Sequence, residues 1–145
     1  MTTADLTSTV AALAGRYTGE MTTFLREMIA IPSESAAERG VVARVAEEMR
    51  RVGFDEVKID RLGNVLGRVG KGPTVIAIDG HLDTVGVGDR STWTRDPYVG
   101  EFRDGIIFGR GASDQEAGIA AAVHGARIAK ELGLLDGVQV WVTGT

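Results

Sequence analysis

No cysteine occurs anywhere in the 145 residues. That single absence removes disulfides, thiolate metal sites and cysteine nucleophiles together, and it fits a reducing compartment. An excess of basic charge is also missing: 16 Lys and Arg stand against 20 Asp and Glu, for a net charge of −4. The cations are scattered, with no basic stripe interleaved with aromatics, so neither nucleic acid nor a membrane surface is an expected partner. No apolar run approaches the roughly 20 residues that a membrane helix needs. The opening MTTADLTSTVAALAG carries an acid and no basic n-region, so it does not read as a signal peptide. What these absences leave is one ordinary globular domain, 43% hydrophobic and 25% charged, with the cytoplasm as its expected location.

The hydrophobic pattern divides the chain into alternating elements. Val10, Leu13, Tyr17, Met21, Phe24, Leu25 and Met28 recur at helical spacing from about Asp5 to Ile29, and Pro32 ends the run. Ser35 and Glu38 have the spacing of a capping box, opening a helix with Val41, Val42, Val45, Met49 and Val52 on one stripe and Gly53 as its stop. Val57 and Ile59 alternate with charged neighbours as on a half-exposed strand. Val65–Val69 and Thr74–Ile78 read as two more strands around a Gly70–Gly72 turn. Thr74–Ile78 has no alternation, which predicts cover on both faces. A long polar loop spans about Thr84 to Glu101, and Gly105–Gly109 is a short strand or turn. A helix follows from Gln115 to Leu132, then a strand over Val138–Val142. Strands alternating with helices predict an α/β fold with a mixed, largely parallel sheet.

The chemistry concentrates where the apolar run 74-TVIAI-78 gives way to Asp79-Gly-His81-Leu-Asp83. Ligand sites in α/β sheets gather beyond the carboxyl ends of strands, and residues two apart on extended backbone project to the same side. A metal-bound histidine usually donates its second N–H to a carboxylate or carbonyl, which makes His81 and Asp83 a sensible ligand and support. A loop histidine bonded to a nearby aspartate explains the same three residues. Asp114, in 109-GRGASDQEAG-118, lies 33 residues on, at the start of a helix where it or Ser113 is suited to cap. His124, Asp79, Asp89 and Glu116 have simpler explanations: a boundary histidine, strand-end turn chemistry, a solvated loop acid and a complement to the helix dipole. No phosphate loop and no Gly-x-Ser-x-Gly elbow occurs.

Taken together, His81-Leu-Asp83-Thr-Val, Trp93, Asp96-Pro97, Asp104-Gly105 and Gly109-Arg-Gly-Ala-Ser-Asp114 resemble the dinuclear zinc peptidases and deacylases. These include acetylornithine deacetylase, succinyl-diaminopimelate desuccinylase, aminoacylases and glutamate carboxypeptidases. Ile31-Pro-Ser33 and Gly63-Asn64-Val65 extend the likeness over most of the chain, and Ala117-Gly118 departs from the Gly-Gly of many relatives. The resemblance implies a three-layer sandwich whose mixed, largely parallel sheet is flanked by helices. In it His81 would ligate one zinc, Asp83 would serve catalysis by orienting that histidine, and Asp114 would bridge two zincs, followed by a cis peptide bond. Trp93 and Asp96 match motif positions of no assigned chemistry and are expected to pack the loop and cap a turn.

The implied activity is hydrolysis of an amide bond by a two-metal-activated water, on a small N-acyl amino acid or peptide. Zinc is the implied cofactor, two ions per complete site, with cobalt or manganese as substitutes. Residues 1–145 correspond to the N-terminal portion of such a catalytic domain. The general base, the remaining ligands and a dimerisation domain belong to later segments, so a complementing C-terminal segment is an expected partner. The isolated chain is expected to bind zinc weakly and to turn over little. The alternative is a non-catalytic α/β domain of the same fold serving binding or assembly.

Overall fold

A computed structural model describes residues 2–145. Helix α1 runs over Thr3–Ile29, α2 over Arg39–Arg51 and α3 over Glu116–Glu131. The strands are β1 (Glu56–Ile59), β2 (Val65–Gly80), β3 (Glu101–Arg103), β4 (Ile106–Phe108) and β5 (Asp136–Gly144). Their order along the chain gives the expected mixed α/β architecture, with a mixed sheet flanked by helices.

The periodic segments fold as their spacing predicts. Thr2 caps α1 reciprocally with Asp5, each satisfying a backbone N–H of the other. Phe24, Met28 and Ile29 on α1, Val41, Val45 and Met49 on α2, and Ile119 and Val123 on α3 are all fully buried. They meet Val65, Val69, Val140 and Val142 of the sheet in one cluster. Burial of each such side chain is worth about 1.5–3 kcal/mol. The approach of α2 to the sheet requires Gly67: a Cβ there would stand 2.5 Å from the Met49 sulfur.

One expectation is extended and two are corrected. First, Val65–Val69 and Thr74–Ile78 are two arms of one element, folded back near Gly70 (φ +82). The second arm runs parallel to β5, with Thr74 opposite Val138 and Gly80 opposite Gly144. The first arm meets the same strand in descending register, Val65 opposite Gly144 and Gly70 opposite Gln139. β5, late in the chain, is therefore held between the two arms, and β1 pairs antiparallel with the first.

Second, Thr74–Ile78 is not covered on both faces. Val75, Ile76 and Ile78 are 57%, 48% and 41% exposed. Both faces of this arm are thus partly open, Val75 on one and Ile76 and Ile78 on the other, and it has no outer strand neighbour among the described residues. Third, Ser35 does not cap α2. Ala36 turns the chain with φ +70 and Glu38 takes the N-cap position, without a side-chain capping bond. The long loop is ordered by its own contacts and contains only a short 3-10 turn, Arg90–Thr92. Gly105 sits in the turn of the β3–β4 hairpin. No helix among the described residues is long and apolar enough to cross a membrane.

Candidate metal site at the strand ends

β2 delivers its last residues beside the end of β5. Leu82 N–H donates to Thr145 O at 2.7 Å, and Thr145 N–H to Gly80 O at 3.0 Å. Leu82 is fully buried and plugs the core, which turns its neighbours His81 and Asp83 outward (side chains 40% and 37% exposed). The second contributor is the 109–115 turn ahead of α3. Gly111, at φ +82, lets this turn close tightly, since a Cβ there would stand 2.6 Å from Glu116 Oε2. The peptide bond from Asp114 to Gln115 is cis, as the resemblance implies.

These two segments bring His81 and Asp114 together. His81 Nε2 is 3.0 Å from Asp114 Oδ1. On the other side of the ring, Nδ1 lies 2.9 Å from the Asp83 carbonyl oxygen and 3.1 Å from Asp83 Oδ1. All three neighbours of the ring are acceptors, so either nitrogen can donate; with Nδ1 donating to Asp83, Nε2 would be the nitrogen left for a cation beside Asp114. The bond to the Asp83 carbonyl raises the imidazole pKa above its ordinary value, partial burial opposes this, and Asp114 adds to the rise. Asp83 is also held from a distance, its Oδ2 accepting from the Ser35 hydroxyl at 2.5 Å. Around these groups lies a cavity of about 200 Å³, lined also by Val85, Arg110 and Ser113.

A divalent cation fits the donor set in kind. An imidazole nitrogen and a carboxylate oxygen face each other 3.0 Å apart, and the far side of the ring is held by a carboxylate and a carbonyl. It fits only partly in number, because no group of three or more His, Cys, Asp or Glu converges on a metal-sized site among the described residues. Asp83, on the Nδ1 side, is a support for the histidine.

The other residues singled out in the sequence stand apart from this pair. Trp93 Nε1 donates to Val87 O at 2.9 Å and its ring carries Arg110, centroid distance 5.1 Å. Asp96 accepts from Tyr98 N–H and pairs with Arg90. Loop packing and turn capping account for both. Asp79 accepts from the Thr143 hydroxyl on the neighbouring strand, and Asp89 caps the 3-10 turn.

His124 is not a boundary residue. It is 2% exposed and bonds Glu48, whose carboxylate is fully buried. Glu116 is likewise buried, at 1% exposure, with neither oxygen partnered, and burial pushes its pKa up to about 8. Sequence reasoning missed both burials. The signal was available for His124, which falls one residue after the inward Val123, but it gave no hint of a carboxylate across from it.

Residues 77–145 match the model of peptidase family M20/M25/M40. Among proteins it resembles, YgeY of Escherichia coli (strain K12) is 54% identical over 129 residues, covering 89% of this chain and 32% of that protein. Succinyl-diaminopimelate desuccinylase of Stenotrophomonas maltophilia (strain K279a) is 36% identical over 99 residues, covering 67% of this chain and 26% of the relative. The fold is shared with the dipeptidase Dug1p from Saccharomyces cerevisiae at a TM-score of 0.83 and 18% identity, over 94% of this chain and 34% of the other. The chain thus spans about a third or less of the length of the curated relatives it matches.

Proposed function

We propose that this chain, similar to peptidase family M20/M25/M40 over residues 77–145, is the N-terminal part of the catalytic domain of a zinc-dependent hydrolase acting on an amide bond of a small peptide or N-acyl amino acid. The observation that carries the reading is the convergence of His81 Nε2 and Asp114 Oδ1 at 3.0 Å, with the opposite ring nitrogen already engaged by Asp83. Likeness to a desuccinylase and to a dipeptidase supports the reaction class.

In this reading His81 and Asp114 hold the metal, and Asp83 fixes the tautomer that leaves Nε2 available. Zinc supplies Lewis acidity that polarises an amide carbonyl and activates water at neutral pH. The chain's own residues would orient and hold: Asp83 would keep the proton at Nδ1, and Asp114 would supply its carboxylate to the metal beside Nε2. Two ligand side chains fall short of the usual four, so full coordination and a general base come from a complementing segment.

The test uses a longer protein that contains this chain, purified, stripped with a chelator and restored with zinc. Hydrolysis of N-acyl amino acids or dipeptides is expected to return with zinc, and Asp114→Asn to lower it by at least about 100-fold. Retention of full turnover after chelation, or in Asp114→Asn, refutes the reading. A zinc-binding chain with no turnover in any such protein would favour the alternative, a non-catalytic domain of this fold.

A further inference from the structure

The groups that fix His81 do not all come from its own strand. Three successive residues of the connection between α1 and α2 grip the segment that carries it. Ser33 O accepts from Thr84 N–H at 2.8 Å, Glu34 forms an isolated β-bridge with Thr84, and Ser35 Oγ donates to Asp83 Oδ2 at 2.5 Å. The fit is close: a Cβ on Gly86 would stand 3.0 Å from Glu34 Oε1. Ser35 is free for this because the Ala36 turn takes it away from the start of α2, and Glu38 Oε1 accepts from Ala36 N–H instead.

We propose that Ser35 is a positioning residue of the metal site, acting through Asp83 on the ring of His81. The proposal rests on the metal reading of His81 given above. A carboxylate with both oxygens engaged has one orientation: Oδ2 is tied to Ser35 while Oδ1 faces Nδ1. A hydrogen bond from a hydroxyl to an ionised carboxylate belongs to the stronger class. Without it, the half-exposed Asp83 turns to exchange its oxygens with water, and Nδ1 keeps only the backbone carbonyl. The ring then loses part of what holds Nε2 towards Asp114. Outer partners of a metal-bound histidine typically change affinity by about 10–100-fold. Ser35 stands one bond further out, which places its effect near the lower bound.

The test compares the parent chain with Ser35→Ala, Ser35→Thr and His81→Ala, each first shown to unfold at an unchanged urea midpoint. Two quantities are read: the zinc Kd by chelator competition, and the His81 Nδ1–H signal by NMR without metal. Ser35→Ala is expected to weaken zinc about tenfold and to broaden the Nδ1–H signal. Ser35→Thr, which keeps the hydroxyl, is expected to restore both to within about twofold. If His81→Ala loses zinc while Ser35→Ala binds as tightly as the parent, the metal reading stands and this proposal is overturned. If His81→Ala binds zinc unchanged, the metal reading fails. The Nδ1–H signal then decides alone, its loss in Ser35→Ala supporting the positioning role and its persistence ending it.

Discussion

Two histidine–carboxylate pairs occur in this molecule, and their difference separates structure from chemistry. His124 meets Glu48 at 3.2 Å and His81 meets Asp114 at 3.0 Å, so distance does not distinguish them. Surroundings do. Glu48 is fully buried and also accepts from Arg44 and Arg51, which in turn reach Glu27 and Glu20. Burial pushes the Glu48 pKa up, but His124, Arg51 and Arg44 outweigh it and hold the carboxyl well below the usual range. That network ties α1, α2 and α3 together, with Tyr17 and Phe24 packed beside the imidazole. The Asp114 side chain, by contrast, is 84% exposed and meets the His81 ring through one oxygen. A buried pair whose carboxylate is already shared with two arginines holds helices. An open pair with oxygens to spare can take a ligand.

The largest expected effect lies on the closed side. Glu48→Ala leaves two guanidinium groups and an imidazole without their shared anion, and breaking a buried pair from one side costs about 3–5 kcal/mol. Asp114→Ala removes an exposed carboxylate and should change stability by no more than about 0.5 kcal/mol. Urea unfolding of both variants checks the contrast, and equal losses would erase it.

A smaller effect should appear with pH. The folded-state pKa of Glu48 is depressed, so its stabilising contribution is present above the ordinary glutamate value of 4.5 and is lost as pH falls below it. The unfolded chain binds the proton first, and stability drops on acidification with a slope of up to about 1.4 kcal/mol per pH unit from this group. In Glu48→Gln that slope below pH 4.5 should flatten. Stability curves from pH 3 to 6 decide it.

The smallest expected effect concerns association. The open side also carries the outer arm of β2, an edge rich in exposed apolar residues, and such edges template pairing between chains. Ile78→Lys should lower self-association several-fold in sedimentation at fixed concentration, with little change in unfolding. An equal tendency in both proteins would show that this edge is not the sticky surface.

Much of this was legible in residue spacing. The helical stripes of Val41, Val45 and Met49 and of Ile119 and Val123 turn inward as expected, because helix periodicity is a local property. The strand-end position of His81 and Asp83 followed from the apolar run before them. Other features were out of reach. Nothing local to Val65–Gly80 says that a strand 60 residues later inserts between its arms. Ser35 has the spacing of a cap and is used elsewhere, since the Ala36 turn and Asp83, 48 residues away, decide its partner. Glu116 reads as an acid at a helix start, and only the closure of the Gly111 turn makes it a buried one.

By itself, the sequence determined the elements, their inward faces and the residue types offered at the end of β2. Each depends on side-chain volume, polarity and neighbours a few positions away. The tertiary structure alone decided which acid meets which base. Burial and hydrogen-bond closure at a given imidazole are set by segments distant in the chain, and here they close one pair with arginines and leave the other open to solvent.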